Sequence, residues 1–437
     1  STLSSSSAAS DVYKRQEGTG SMSTIAGKNL AAEAGVETTG GELPRPFGSA
    51  TGAATVRREG RPTVLPQAAP LLTRSGWSAF LVALVLVCAV APVLNLWVPA
   101  DSPLHMSDFL VNLLGKIMCY AICALAMDLI WGYAGILSLG HGLFFALGGY
   151  VMGMYLMRQI GTDGNYGSDL PDFMVFLNWT ELPWHWALSG SFLATLLLIV
   201  LVPGVVAFVF GYFSFRSRIK DVYFSIITQA LVFAAMLLFF RNETGFGGNN
   251  GFTDFKRILG IPIATQEMRM TLFVLTGLVL LGCFLFARWL VRSKYGRVLV
   301  AVRDAESRVM FSGYDPVAYK LSIWTISAVM CGIAGALYVP QVGIINPSEM
   351  SPANSIEIAI WAAVGGRGTL IGPIVGAFAV SGAKSWFTAT FPEIWLYFLG
   401  GLFIAVTLFL PQGIVGLARR LRRTAPDATS ARKGGQA

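Results

Sequence analysis

Residues 77–410 carry a succession of apolar runs, and all but one approach the length needed to cross a lipid bilayer. A membrane-crossing helix needs about 20 predominantly apolar residues. By that ruler the runs fall at 77–97, 109–131, 136–157, 187–213, 222–240, 270–291, 319–342, 356–364, 370–387 and 394–410. Within hydrocarbon, every backbone N–H and C=O must find a partner inside its own segment. The expected fold class is therefore an all-α integral membrane protein with about ten transmembrane helices. Composition agrees: 54% of residues are hydrophobic and 13% charged, against about 25% charged in soluble domains. The net charge of +8 reads as membrane orientation, because Lys and Arg concentrate in loops and tails. No nucleic-acid partner is implied; the expected surroundings are membrane lipid.

Orientation follows from the same charges. Arg57, Arg58, Arg61 and Arg74 precede the first run, Arg216, Arg218 and Lys220 follow the fourth, and Arg419, Arg420, Arg422 and Arg423 follow the last. Basic residues favour the cytoplasmic side, so ten crossings place both termini inside. That parity requires 356–364 to count as a crossing. Such a short or broken helix, followed by Gly365, Gly366 and Gly368, is tolerated at that depth only when buried in protein or lining a cavity. Three regions are expected: a disordered, Ser/Gly/Ala-rich tail at 1–76, a membrane domain at 77–416, and a basic cytoplasmic tail at 417–437. The opening STLSSSSAASDVYKRQ resembles translated adaptor sequence, with Met22 as an alternative natural start.

Between the sixth and seventh runs lies a strongly charged loop, RSKYGRVLVAVRDAESRVMFSGYDPVAY, at 292–319. Gly296 is expected to break the incoming helix. Val298, Val300, Ala301, Val302, Ala305, Val309 and Met310 then supply an apolar face at roughly helical spacing. Gly313 offers a stop, with Pro316 beyond it. The reading is a short helix on the cytoplasmic face, with Arg303, Asp304, Glu306 and Arg308 outward as a docking surface.

Polar groups inside apolar runs are costly and usually face the bundle interior. Lys116, Asp128 and Lys384 lie close enough to run ends to snorkel. Glu357 and Gln229 lie deeper, and Ser225, Thr228 and Gln229 share one helix face at i, i+3 and i+4. These four are the candidate substrate path. Gly140, His141 and Gly142 open the third span, where His141 is expected to be a hydrogen-bonded packing residue. Gly149 and Gly153 continue as a GxxxG face. Ser138 and His141 lack an acidic orienter and an oxyanion motif, so no catalytic residue is assigned. The turn at 365–373 is glycine-rich but lacks GxxxxGK[ST], and that pattern is absent from the chain. ATP hydrolysis would therefore belong to another polypeptide. The five cysteines all sit in apolar runs as small hydrophobes. No metal site or cofactor is expected.

Four stretches together are specific: YAGILSLGHGLFFALGGY, KYGRVLVAVRDAESRVMFSGYDPVAYKLSIW, GIAGALY and GGRGTLIGPIVGA. In this order they resemble the permease subunits of branched-chain amino-acid ABC importers, over roughly 109–416. The fifth span and its following loop, YFSIITQALVFAAMLLFFRNETGFGGNNGFTDFKRILG, look most like the urea-transport branch. The resemblance implies a permease subunit of an ATP-driven importer in the bacterial inner membrane. It also implies a second permease subunit, two cytoplasmic ABC ATPases coupled through 292–319, and a periplasmic substrate-binding protein. The implied cargo is urea or a short amide, with a branched-chain amino acid as the alternative. A passive urea channel is a further alternative, but it would leave the charged loop unexplained. The 241–269 loop is expected to meet the binding protein through Asn249, Asn250 and Asp254.

Overall fold

The computed structural model describes residues 74–99, 102, 104–219, 221–409 and 413–416. The chain divides into two units, Ser1–Gln67 and Ala68–Ala437, and all described residues belong to the second. The expected tails lie outside the described residues, save that the first helix begins at Arg74, inside the stretch expected to be disordered.

Helices dominate: α1 (Arg74–Leu96), α2 (Asp108–Asp128), α3 (His141–Arg158), α4 (Phe192–Arg216), α5 (Asp221–Phe239) and α6 (Gln266–Arg292). Then come α7 (Lys294–Phe311), α8 (Pro316–Val342), α9 (Pro352–Gly365), α10 (Ile371–Thr390) and α11 (Trp395–Phe409). Among the described residues, five helical segments are long and apolar enough to cross a membrane: Asp108–Tyr133, Phe192–Arg216, Val222–Phe239, Gln266–Arg292 and Pro316–Val342. The protein is thus a helical, multi-pass membrane protein.

Two apolar runs differ from the helices they become. The third starts as helix only at His141, because α2 unwinds through a π-helical turn (Leu129–Tyr133) into a polar-bonded segment. The fourth begins with a 3-10 turn (Trp184–Gly190) before α4. In the third run, side chains of α5 capture backbone that would otherwise continue the helix. Leu137 O accepts from Ser225 Oγ at 2.6 Å, and Leu139 N donates to Thr228 Oγ1 at 3.2 Å.

At the centre, α2 and α8 are 61% and 67% buried over their apolar windows, whereas α4 and α5 are only 28% buried. Lipid offers little hydrophobic drive between helices, so small residues that permit close backbone packing decide which helices meet. A Cβ on Gly148 would sit 2.0 Å from Gly332 O, and one on Gly335 would sit 1.8 Å from Phe145 O. These glycines seat α3 against α8. The expected Gly149/Gly153 face packs too, Gly149 on Val339 and Gly335 of α8 and on Ile345, and Gly153 on Ile345 and Phe252. Trp324, fully buried on α8, donates Nε1–H to Ala207 O of α4 at 2.8 Å. The outer faces of α4 and α5 expose Leu193, Leu197, Phe208, Phe213, Val222 and Ile226. A patch of that extent belongs against lipid or another membrane chain.

The loops after α3 and α5 fold together at one end of the bundle. Phe252 and Ile345 form an antiparallel bridge at 2.8 and 3.0 Å. Trp186 Nε1 donates to Gly245 O at 3.2 Å, and Phe252 packs among Tyr150, Phe173 and Trp186. Strands β1 (Arg257–Ile258) and β2 (Ile261–Pro262) make a small hairpin beyond.

Candidate functional site

The charged loop does form a helix, α7, but several details differ from expectation. The incoming helix breaks at Ser293, whose Oγ caps Gly296 N, while Gly296 lies inside α7 and packs against the Val291 carbonyl. The buried stripe is Leu299, Val302 and Val309, whereas Ala301 and Met310 face outward. Ala305 is not helical (φ −157°, ψ 69°), and the helix kinks there. Asp304, Glu306 and Arg308 are exposed as expected, and Gly313 turns the chain with φ +85° before α8. Glu306 Oε2 accepts from Lys320 Nζ at 2.8 Å. Arg303 is exposed as well, donating Nε–H to Asp304 Oδ1 at 2.8 Å, but it also reaches inward. Its Nη1 donates to Gly132 O at 2.7 Å, and its stem packs over Gly135. The α7 tip exposes Phe311 at 92%, beside Met310 and Tyr314.

Gly132 leads directly to the glycine-rich turn. Asp128, fully buried, accepts from Gly368 N and from Leu370 N at 3.0 Å, so it caps the start of α10 rather than snorkelling. Tyr133 Oη donates to Gly368 O at 3.1 Å, and the Arg367 guanidinium lies 5.1 Å from the Trp131 ring centre. Gly366 (φ +116°) and Gly368 (φ +73°) hold backbone angles that L side chains rarely adopt. At Gly365 a Cβ would strike Gly372 O at 1.7 Å, so α9 and α10 cross in near backbone contact. Thr369 Oγ1 completes the turn by bonding Gly366 O and Gly372 N.

His141 is fully buried, with Nδ1 3.2 Å from Ser138 Oγ and Nε2 2.7 Å from Ser327 Oγ. Ser327 Oγ–H donates to Ala126 O at 2.6 Å, so the histidine ties α2, α3 and α8 as a packing residue. Gly140 N donates to Ser138 Oγ, and Gly142 N to Ser355 Oγ of α9. The hydroxyls of Ser225 and Thr228 bond to backbone at Leu137, Leu139 and Ser225, and neither residue lines the cavity described below. Gln229 beside them is half-buried.

Glu357 belongs to a different constellation. A cavity of about 30 Å³ lies between α2, α3, α9 and α10, bordered by Tyr120, Phe145, Glu349, Glu357, Trp361 and Lys384. Lys384 Nζ donates to Glu357 Oε2 at 2.6 Å, and Tyr338 Oη donates to Glu349 Oε1 at 3.0 Å. Burial pushes the Glu349 carboxyl up, opposed by Tyr338, Lys116 and Lys384. Lys116 Nζ sits 5.7 and 5.8 Å from the ring centres of Tyr120 and Tyr338, so it packs against rings beside the cavity. Tyr120 stacks between Tyr338 and Trp361. Sequence reasoning passed over Glu349 and read Lys116 and Lys384 as edge residues. The available signal was that Glu349 and Glu357 lie beside and inside the one short run; nothing local in the sequence ties Lys116 or Lys384 to them.

The family model described as branched-chain amino acid transport system / permease component matches residues 109–407. The permease protein LivM of a high-affinity branched-chain amino acid transport system in Salmonella typhimurium is 26% identical, over 72% of this chain and 72% of its own. Its Escherichia coli counterpart is also 26% identical, over 78% and 75%. The fructose import permease protein FrcC of Rhizobium meliloti is 31% identical over 31% of this chain and 39% of its own. No solved structure matches significantly. A match running from the first turn of α2 to the last turn of α11 takes in the α7 surface, the Asp128-capped turn and the charged cavity alike, and the chain belongs to the branched-chain amino acid transport permease family.

Proposed function

We propose that the chain is the membrane-spanning permease subunit of an ATP-driven importer whose cargo is a branched-chain amino acid. One observation carries the reading: a continuous set of bonds runs from an exposed surface helix to the inside of the bundle. Arg303 on α7 holds Gly132; the adjoining Asp128 and Tyr133 hold Gly368 and Leu370; and that turn carries α9 and α10, with Glu357 and Lys384. A displacement of α7 is thereby transmitted to the charged cavity. An energy-supplying partner on α7 is what such a connection serves, and a passive channel has no use for it.

The supporting relatives are named for branched-chain amino acid transport. The urea reading rested on the resemblance of the fifth span and its following loop, and the hydroxyls of Ser225 and Thr228, which it placed on the substrate path, are engaged in packing α5 against the 137–140 segment. In the full arrangement, α1–α6 and α8–α11 make ten crossings over 77–416, with α9 as the short one. Both termini and α7 face the cytoplasm across the inner membrane. A second permease packs against this one, two ATPases engage Asp304, Glu306, Arg308 and Phe311, and an external binding protein meets the loop bearing Asn249, Asn250 and Asp254.

The test is uptake of labelled leucine and urea into liposomes holding the assembled complex, with and without ATP. ATP-dependent leucine entry supports the reading. Urea entry with no leucine entry restores the urea branch, and ATP-independent flux of either sinks the importer.

A further inference from the structure

Two residues that border the charged cavity each carry a buried polar atom without a hydrogen-bond partner among the described residues, Glu357 Oε1 and Trp361 Nε1. They are complementary. A carboxylate oxygen only accepts and an indole N–H only donates. A ligand satisfying both must bring a donor to one side and an acceptor to the other. Glu357 is 6% exposed and its other oxygen is bound to Lys384, so the free oxygen is fixed in direction by the ion pair. Lys384 is the more open partner, its side chain 40% exposed, and puts a cation at the edge of the same cavity. Tyr120, Phe145 and Ile358 supply apolar wall.

We propose that this cavity is a transient site for the zwitterionic head of an α-amino acid; the proposal rests on the amino-acid reading above. The ammonium donates to Glu357 Oε1. The carboxylate accepts from Trp361 Nε1 and faces Lys384, and a branched side chain lies against the apolar wall. A zwitterion adds one charge of each sign beside an existing pair of opposite charges, so no net charge is introduced into the bundle. Urea and a sugar have hydrogen-bonding groups but no charges to match Glu357 and Lys384. The present volume of about 30 Å³ admits only one or two waters. Occupation by an amino acid therefore requires α9 and α10 to part, and these are the helices that the bonds from α7 reach.

The test uses the complete complex in liposomes, with its binding protein and labelled leucine as probe, comparing the wild type with Glu357→Gln and Trp361→Phe. Glu357→Gln removes the charge; Trp361→Phe removes only the N–H and keeps an aromatic ring, which preserves assembly if the first variant does not assemble. Both are scored against complex yield. A fall in maximal leucine uptake of about tenfold for Glu357→Gln and about threefold for Trp361→Phe is expected. Leucine uptake at the wild-type rate in Trp361→Phe and in any assembled Glu357→Gln complex overturns the site, leaving a cavity for water alone, while the importer reading stands. A wild-type complex that moves urea and ignores leucine overturns the amino-acid reading, and the site with it.

Discussion

Replacing Asp128 by alanine tests whether one buried carboxylate holds the α9–α10 turn in shape. Its two oxygens accept from Gly368 N and Leu370 N, and both the carboxylate and Leu370 are fully buried. Alanine leaves both N–H groups without a partner where no water replaces it. Hydrogen bonds to charged groups contribute about 1.5–3 kcal/mol each, which bounds the loss at about 3–6 kcal/mol. Tyr133 still holds Gly368 O, and Thr369 still closes its own bonds to Gly366 and Gly372. The turn is therefore only partly released, and the lower figure, about 3 kcal/mol, is expected. Asparagine keeps one acceptor but turns an NH₂ toward the other N–H, so it recovers no more than half. The assay is the thermal midpoint of the detergent-purified protein, followed by the surviving monodisperse fraction on size exclusion. A fall of roughly 5–10 °C is expected for Asp128→Ala, with Asp128→Asn between it and the wild type. If Asp128→Ala melts within about 2 °C of the wild type, the carboxylate is not what holds the turn.

Three further outcomes follow from the same geometry. Gly335→Ala drives a Cβ into Phe145 O, 1.8 Å from its ideal position; the α3–α8 contact should loosen at a cost of about 1–3 kcal/mol, read as a lower thermal midpoint. Phe311→Asp should reduce co-purification of the proposed ATPase partners severalfold while leaving the midpoint unchanged, because Phe311 is 92% exposed. Equal recovery of ATPases would show that the α7 tip is not a contact. His185 lies in the loop before α4, and burial lowers its pKa from the ordinary value of 6.5. Its burial is therefore fully favourable above that pH, and stability is lost as pH falls below it, since the opened loop binds the proton first. Hydrogen exchange at 184–190, corrected for intrinsic rates, should accelerate between pH 7 and 5.5 in wild type and not in His185→Phe.

Where the helices lie was legible in the sequence, because a bilayer imposes one length and one polarity on every segment that crosses it. Expected runs at 222–240 and 394–410 became Asp221–Phe239 and Trp395–Phe409. The charged helix between α6 and α8, its stop at Gly313 and the packing role of His141 were legible for local reasons. What polar residues do inside the bundle was not. Asp128, Lys116 and Lys384 sit near run ends, where a one-dimensional reading sends them to the membrane edge. Only the tertiary structure brings Asp128 to backbone N–H groups more than 200 positions away, and Lys384 to Glu357 across the α9–α10 turn. Ser225 and Thr228 share a helix face whichever partner they meet, and their partner proved to be the unwound backbone at 137–139. Periodicity encodes which side of a helix is polar. Which groups face it depends on close helix packing, set by glycines such as Gly332, Gly335 and Gly365 meeting backbone from elsewhere in the chain.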